Sequence, residues 1–160
     1  VLIVGDGSGT TWEKEMGWGS VLVEKNNFTR TLFHGGTSAG TNNMAELMAV
    51  LHPLMYLANN EKGEKPGGCK VHVISDSEYV VNGLKHTSPV WASKLKVNRE
   101  LWMAIHMTRR RGLVITGHHV PRETIALHKI GHELANLSRV GQIGMKKELK
   151  QDVYAANQED

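Results

Sequence analysis

Cysteine is almost absent: Cys69 is the single one among 160 residues, so no disulfide can form within the chain. Long apolar runs are absent too. The longest mostly apolar stretch, Ala45 to Ala58, is interrupted by Glu46, His52 and Pro53 and is too short to span a bilayer. The amino end lacks a charged segment followed by an apolar signal core, and no internal repeat is visible. These absences exclude a disulfide scaffold and a repeat array. They lead us to expect a reducing, cytoplasmic setting and no membrane role.

Charge of one sign is also lacking. Nineteen Lys and Arg face sixteen Asp and Glu, a net charge of +3 with the nine histidines neutral. Three local basic groups remain, Lys94/Lys96/Arg99, Arg109/Arg110/Arg111 and Lys146/Lys147/Lys150. Each either offers a positive patch to a phosphate backbone or is a solvated face. Hydrophobic residues at 40% and charged residues at 22% are ordinary globular values, enough for one core in one domain. We assign residues 1–140 to that domain and 141–160 to a polar tail, either mobile or a docked terminal helix.

Val1 to Val4 reads as a buried strand that ends in a turn at Gly5-Asp6-Gly7. Trp18 to Glu24 and Thr29 to Gly35 read as strands joined by a turn at Lys25-Asn26-Asn27. Thr41-Asn42-Asn43 starts a helix that runs to about Asn59 on the spacing of Met44, Leu47, Met48, Leu51, Leu54 and Met55, with a bend at Pro53. A Gly-rich loop over 61–68 precedes a strand at Val71 to Ile74. Ser77 to Leu84 reads as a short helix, Ser88 to Val97 as an irregular or helical connector, and Asn98 to Arg110 as an amphipathic helix. Leu113 to Thr116 is a fifth strand, 117–124 a loop, and 125–139 a helix. This order predicts an α/β fold with a five-stranded mixed sheet, three antiparallel strands followed by parallel ones, flanked by helices.

Asp6 and Asp76 stand at the ends of apolar strands, where open α/β sheets place their ligands. Glu46 interrupts the apolar face of its helix, and a carboxylate near a buried face needs a partner. Three carboxylates together would repel one another unless a cation neutralised them, and hard oxygen ligands suit Mg²⁺ or Mn²⁺. Each residue also has an ordinary reading: Asp6 in a turn, Asp76 as the cap of the helix from Ser77, Glu46 as a partner of the helix dipole.

The blocks Asp6-Gly7-Ser8, Thr41-Asn42-Asn43-Met44-Ala45-Glu46-Leu47 and Ser75-Asp76-Ser77-Glu78-Tyr79-Val80, in this order and spacing, resemble type 1 ribonuclease H. Asn98-Arg99-Glu100-Leu101-Trp102 resembles the start of a later helix of that family, and Gly117-His118 the loop that carries its mobile histidine. The resemblance extends over roughly residues 1 to 140. It implies a ribonuclease H-like fold and hydrolysis of the RNA strand of RNA/DNA hybrids, leaving 5′-phosphate and 3′-hydroxyl ends. It further implies two Mg²⁺ or Mn²⁺ ions held by Asp6, Glu46 and Asp76 around the scissile phosphate. By the same likeness Asn42, Asn43 and Glu46 would lie along the RNA minor groove, where the 2′-hydroxyls are. Thr41 would hold a DNA-strand phosphate, and Gly7, Ser8, Ser77, Lys94 and Lys96 would line the nucleic-acid path. His118, or its neighbour His119, would assist proton transfer.

One position departs from the family pattern. The family's fourth ligand is an Asp before x-Leu-Ala, and the matching block here is Gly131-His132-Glu133-Leu134-Ala135. His132 therefore occupies the ligand position, and Glu133, about 100° further round the helix, cannot simply replace the Asp. Imidazole favours Mn²⁺ over Mg²⁺ compared with a carboxylate; the other reading of His132 is a polar surface residue in a degenerate site. His128 and His132 share a helix face, but no third zinc ligand is set by spacing. The insertion that carries a basic protrusion in larger members is missing between Asp76 and Asn98, with Trp91, Lys94 and Lys96 as its remnants. We expect a monomer that binds an RNA/DNA hybrid. Two rivals share the fold, a hybrid-binding module with weakened catalysis and a junction resolvase-like DNA nuclease. A sugar-kinase or actin-like ATPase, suggested by Asp6-Gly7-Ser8-Gly9-Thr10, would need a second domain to enclose its nucleotide.

Overall fold

The structure, a computed structural model, describes residues 1–9, 16–24, 30–37, 40–60, 68–121 and 153–155. Three antiparallel strands open the chain: β1 (Leu2–Gly9), β2 (Met16–Val23) and β3 (Arg30–Thr37). Helix α1 (Asn42–Asn59) then crosses over to β4 (Cys69–Ser75), which lies parallel to β1. Helices α2 (Glu78–Leu84), α3 (Pro89–Ser93) and α4 (Arg99–Arg110) lead to β5 (Leu113–His119), parallel to β4. A three-residue strand, β6 (Val153–Ala155), pairs in parallel with β3, so the sheet order is β5-β4-β1-β2-β3-β6. The first five strands have the expected order and senses. Strand β6 falls in the carboxyl-terminal tail, where no strand was foreseen.

Helix α1 packs on β1 and β2 and against α4. Its Ala45, Leu47, Leu51, Leu54 and Leu57 meet Ile3, Trp18, Leu22 and Phe33 from the sheet and Trp102 and Ile105 from α4 in one buried cluster. The helix starts at Thr41, whose hydroxyl accepts from the Met44 amide at 3.2 Å. Pro53 lies inside the helix, which stays one element from Asn42 to Asn59.

Two further elements differ from the sequence-based expectation, each for a physical reason. Strand β1 does not turn at Gly5-Asp6-Gly7 but continues to Gly9, with Asp6 opposite Gly19 and Gly7 opposite Trp18. The glycines there serve close approach rather than a turn: a Cβ on Gly5 would stand 3.1 Å from that of Ala49. Strand β5 runs through Gly117, His118 and His119, which pair with Val73, Ile74 and Ser75, so the loop expected from residue 117 begins after the histidines. The parallel ladder to β4 overrides the loop signal of Gly117.

Other assignments lie outside the described residues: the turn at 25–27, nearly all of the loop at 61–68, the helix at 125–139 with His128, His132 and Glu133, the third basic group at 146–150, and the tail apart from β6. No helix among the described residues is long and apolar enough to cross a membrane.

Candidate active site

Three elements of different origin converge on one point. Asp6 projects from β1 and is buried, Glu46 comes from the second turn of α1, and Asp76 follows the end of β4; the last two are half-buried. One carboxylate oxygen from each lies within 4.8 Å of the others. The ordinary readings of these residues give way. Asp6 is in a strand, not a turn. The α2 cap is Ser77, whose hydroxyl accepts from the Val80 amide at 3.2 Å. The first turn of α1 contains no acidic residue.

Burial pushes the Glu46 carboxyl well above the usual carboxylate range, and the negative charges of Asp6 and Asp76 push the same way. The Gly7 backbone amide opposes this by stabilising the ionised form, and it also donates to Asp6 Oδ1 at 3.0 Å. Oε2 of Glu46 is buried with no hydrogen-bond partner among the described residues. A concentration of negative charge with an orphaned buried oxygen is what a divalent cation would complete, and the all-oxygen donor set fits Mg²⁺ or Mn²⁺.

The carboxylates sit beside an open surface. Thr41, Asn42 and Asn43 are exposed at the start of α1. Thr41 and Asn43 line a groove with Tyr79, Lys96 and Asn98. Lys94 caps the carboxyl end of α3. Gly7 and Ser8 lie in β1 opposite Trp18 and Gly17. Ser77 is committed to its cap.

The basic group at 109–111 is largely occupied within the protein. The Arg109 guanidinium donates to the carbonyls of Leu84 at 2.6 Å and His86 at 2.8 Å, and Arg111 donates to Asn59 Oδ1 at 2.9 Å.

His118 is exposed in β5 with its Nε2 3.0 Å from Nδ1 of His72, while Nε2 of His119 lies 3.2 Å from the Asp76 carbonyl oxygen. Of the two neighbours, His119 is the one that reaches the residue of the cluster.

Tyr79 is a groove residue that the sequence did not single out. Its hydroxyl accepts from Asn98 Nδ2 at 3.1 Å and from Trp102 Nε1 at 3.0 Å, and so holds the groove's far wall in place. Asn98 itself has a left-handed backbone, φ 57°, at the start of α4. The Asn-x-x-x-Trp spacing that follows the Tyr-containing block was the available signal, but a single sequence does not show that the three side chains meet.

A family model described as RNase H matches residues 1–123. Ribonuclease H of Pseudomonas aeruginosa (strain LESB58) is 35% identical over 113 residues, 66% of this chain and 70% of that one. Ribonuclease H of Coxiella burnetii (strain Dugway 5J108-111) is 34% identical over 128 residues, 75% of this chain and 77% of that one. Among solved structures, LC11-RNase H1 in complex with an RNA/DNA hybrid superposes with a TM-score of 0.69 at 23% identity, over 87% of this chain and 96% of that one. The N-terminal RNase H domain of a Mycobacterium tuberculosis protein gives 0.67 at 20% identity, over 89% and 96%. With the fold, the carboxylate cluster and the match over most of its length in agreement, the chain belongs to the ribonuclease H family of enzymes.

Proposed function

We propose that this enzyme hydrolyses the RNA strand of RNA/DNA hybrids at the Asp6, Glu46 and Asp76 cluster, leaving 5′-phosphate and 3′-hydroxyl ends. The observation that carries the reading is the convergence of three carboxylates, one oxygen of each within 4.8 Å of the others, with Oε2 of Glu46 buried and without a hydrogen-bond partner among the described residues. Two Mg²⁺ or Mn²⁺ ions bound there would supply charge neutralisation, activation of water and stabilisation of the leaving oxygen. The resemblance to hybrid-cleaving enzymes supports the choice of substrate.

The chain's own residues divide the work. Asp6, Glu46 and Asp76 hold the cations, and His132, by its place in the family pattern, completes the ligand set. Asn42 and Asn43, exposed beside Glu46, reach the 2′-hydroxyls that distinguish RNA from DNA. Thr41 and Lys96, on the groove, receive phosphates of the other strand, and by the family pattern Lys94, Gly7, Ser8 and Ser77 follow along the path. Proton transfer falls to the 118–119 histidine pair, of which His119 touches the main-chain carbonyl of Asp76. The working form is a cytoplasmic monomer.

Cleavage of one labelled strand in matched RNA/DNA, RNA/RNA, DNA/DNA and branched-DNA substrates, with Mg²⁺ or Mn²⁺, tests this reading on the wild type and Asp76→Asn. The expected result is cleavage of the hybrid's RNA alone, abolished in the variant. Hybrid binding without cleavage in either metal would make the chain a binding module, and cleavage of branched DNA would make it resolvase-like.

A further inference from the structure

On β4, Val71 and Val73 are buried, and His72 between them is exposed on the other face of the sheet. On β5, His118 is exposed on that same face, displaced by one two-residue step from Thr116, the cross-strand partner of His72. The two rings tilt 38° with centroids 5.1 Å apart, and Nδ1 of His72 lies 3.0 Å from Nε2 of His118. The two nitrogens are at hydrogen-bonding distance, with the tautomer deciding which donates, and both imidazoles are exposed.

We propose that His72 and His118 form a binding site for a divalent transition-metal cation, Cu²⁺ or Ni²⁺, separate from the carboxylate cluster. Imidazole suits these ions, and neutral histidine is their ordinary ligand. At metal–nitrogen distances of about 2.0–2.1 Å, a 3.0 Å separation of the nitrogens corresponds to an angle at the metal of about 95°. That is close to the right angle between neighbouring ligands in tetragonal or octahedral coordination, the geometries that Cu²⁺ and Ni²⁺ adopt. The lone pairs must swing from facing each other to converging on the ion. Both rings are exposed, which leaves them room on the solvent side to reorient. Water fills the remaining positions. The nearest cationic side chain along β4 on this face is Lys70, two residues before His72, and it is exposed and free to turn into solvent. A cation held here would clip β4, whose end carries Asp76, to β5.

The test uses the whole chain, isotope-labelled and saturated with Mg²⁺, with Cu²⁺ added at less than one equivalent. The backbone amides of 71–73 and 117–119 should broaden first. By calorimetry, His72→Gln should weaken Cu²⁺ binding at least about tenfold, because losing a ligand costs no less than losing a group that orients one. Asp76→Asn should bind Cu²⁺ as the wild type does. Unchanged affinity in His72→Gln, loss of the same binding in Asp76→Asn, or broadening centred on other histidines would each overturn the proposal. The wild-type broadening map decides the matter even if His72→Gln does not fold.

Discussion

Gly7 and Ala45 meet with no room for another atom: a Cβ on Gly7 would stand 2.8 Å from the Ala45 Cβ and 2.8 Å from the Glu46 amide nitrogen. This contact sets how closely α1 lies on β1, and with it the distance of Glu46 from Asp6. Gly7→Ala must push the helix outward. We expect a loss of about 1–3 kcal/mol in stability from overpacking. Activity should fall by more than instability explains, because Glu46 moves with the backbone. Denaturant unfolding and hybrid cleavage, measured on the same preparation well below the unfolding midpoint, separate the two effects.

Glu46→Gln removes one of three neighbouring carboxylates, one whose ionisation is opposed by burial and by the charges of Asp6 and Asp76. The metal-free protein should become more stable, by on the order of 1 kcal/mol. Cleavage should fall by on the order of 10²–10³-fold. Added Mg²⁺ should raise the thermal midpoint of the wild type and leave the variant nearly unmoved. A variant that Mg²⁺ stabilises as strongly as the wild type would contradict the assignment of Glu46 as a ligand.

His52 stacks on Trp18 with ring centroids 4.5 Å apart and planes within 8°, and burial lowers its pKa from 6.5 to about 4. Between these values the unfolded chain takes up a proton that the folded chain refuses. Stability contributed by neutral His52 is therefore present above pH 6.5 and is lost as pH falls toward 4, by at most about 1.4 kcal/mol per pH unit. Unfolding midpoints of the wild type and His52→Phe across this range should diverge, with the wild type losing stability more steeply on acidification. Parallel curves would mean that His52 does not titrate in this way.

Tyr79→Phe strands the Asn98 amide and the Trp102 indole N–H, which both donate to the lost hydroxyl. The expected cost is about 1–3 kcal/mol, together with weaker hybrid binding as the groove's wall loosens. Asn98→Gly should be tolerated better than Asn98→Ala, because φ 57° suits glycine and strains alanine. Equal stability of the two Asn98 variants would show that the left-handed backbone carries no cost there.

His132 stands where the family pattern has a carboxylate, so Mn²⁺ should support relatively faster cleavage than Mg²⁺, and activity should fall at acid pH as the imidazole protonates. His132→Ala should remove both features. Metal preference and pH profile, measured side by side on the wild type and the variant, are the readout. Rates equal in the two metals and unchanged by the substitution would remove His132 from the ligand set.

Local order along the chain carried much of this reading. The alternation and helical spacing of apolar residues correctly marked five strands and the α1 and α4 helices, because element type follows from which side of a few consecutive residues must be buried. The Asp6, Glu46 and Asp76 blocks were legible because each carboxylate sits at the end of, or inside, an otherwise apolar pattern. The Thr41 helix start was legible for a similar reason, since its hydroxyl bonds only three residues away.

What the sequence by itself determined, then, is the kind and order of the elements and the three carboxylates, Asp6, Glu46 and Asp76, that the fold brings together. Tertiary structure alone decided that Gly7 is a contact rather than a turn, that β5 extends through both histidines, and that His72 meets His118 across 46 residues. It also decided that Val153–Ala155 adds a strand beside β3. Each of these rests on register between segments distant in the chain. A one-residue slip would turn every side chain of a strand to the other face, and that register is selected by the packed core as a whole.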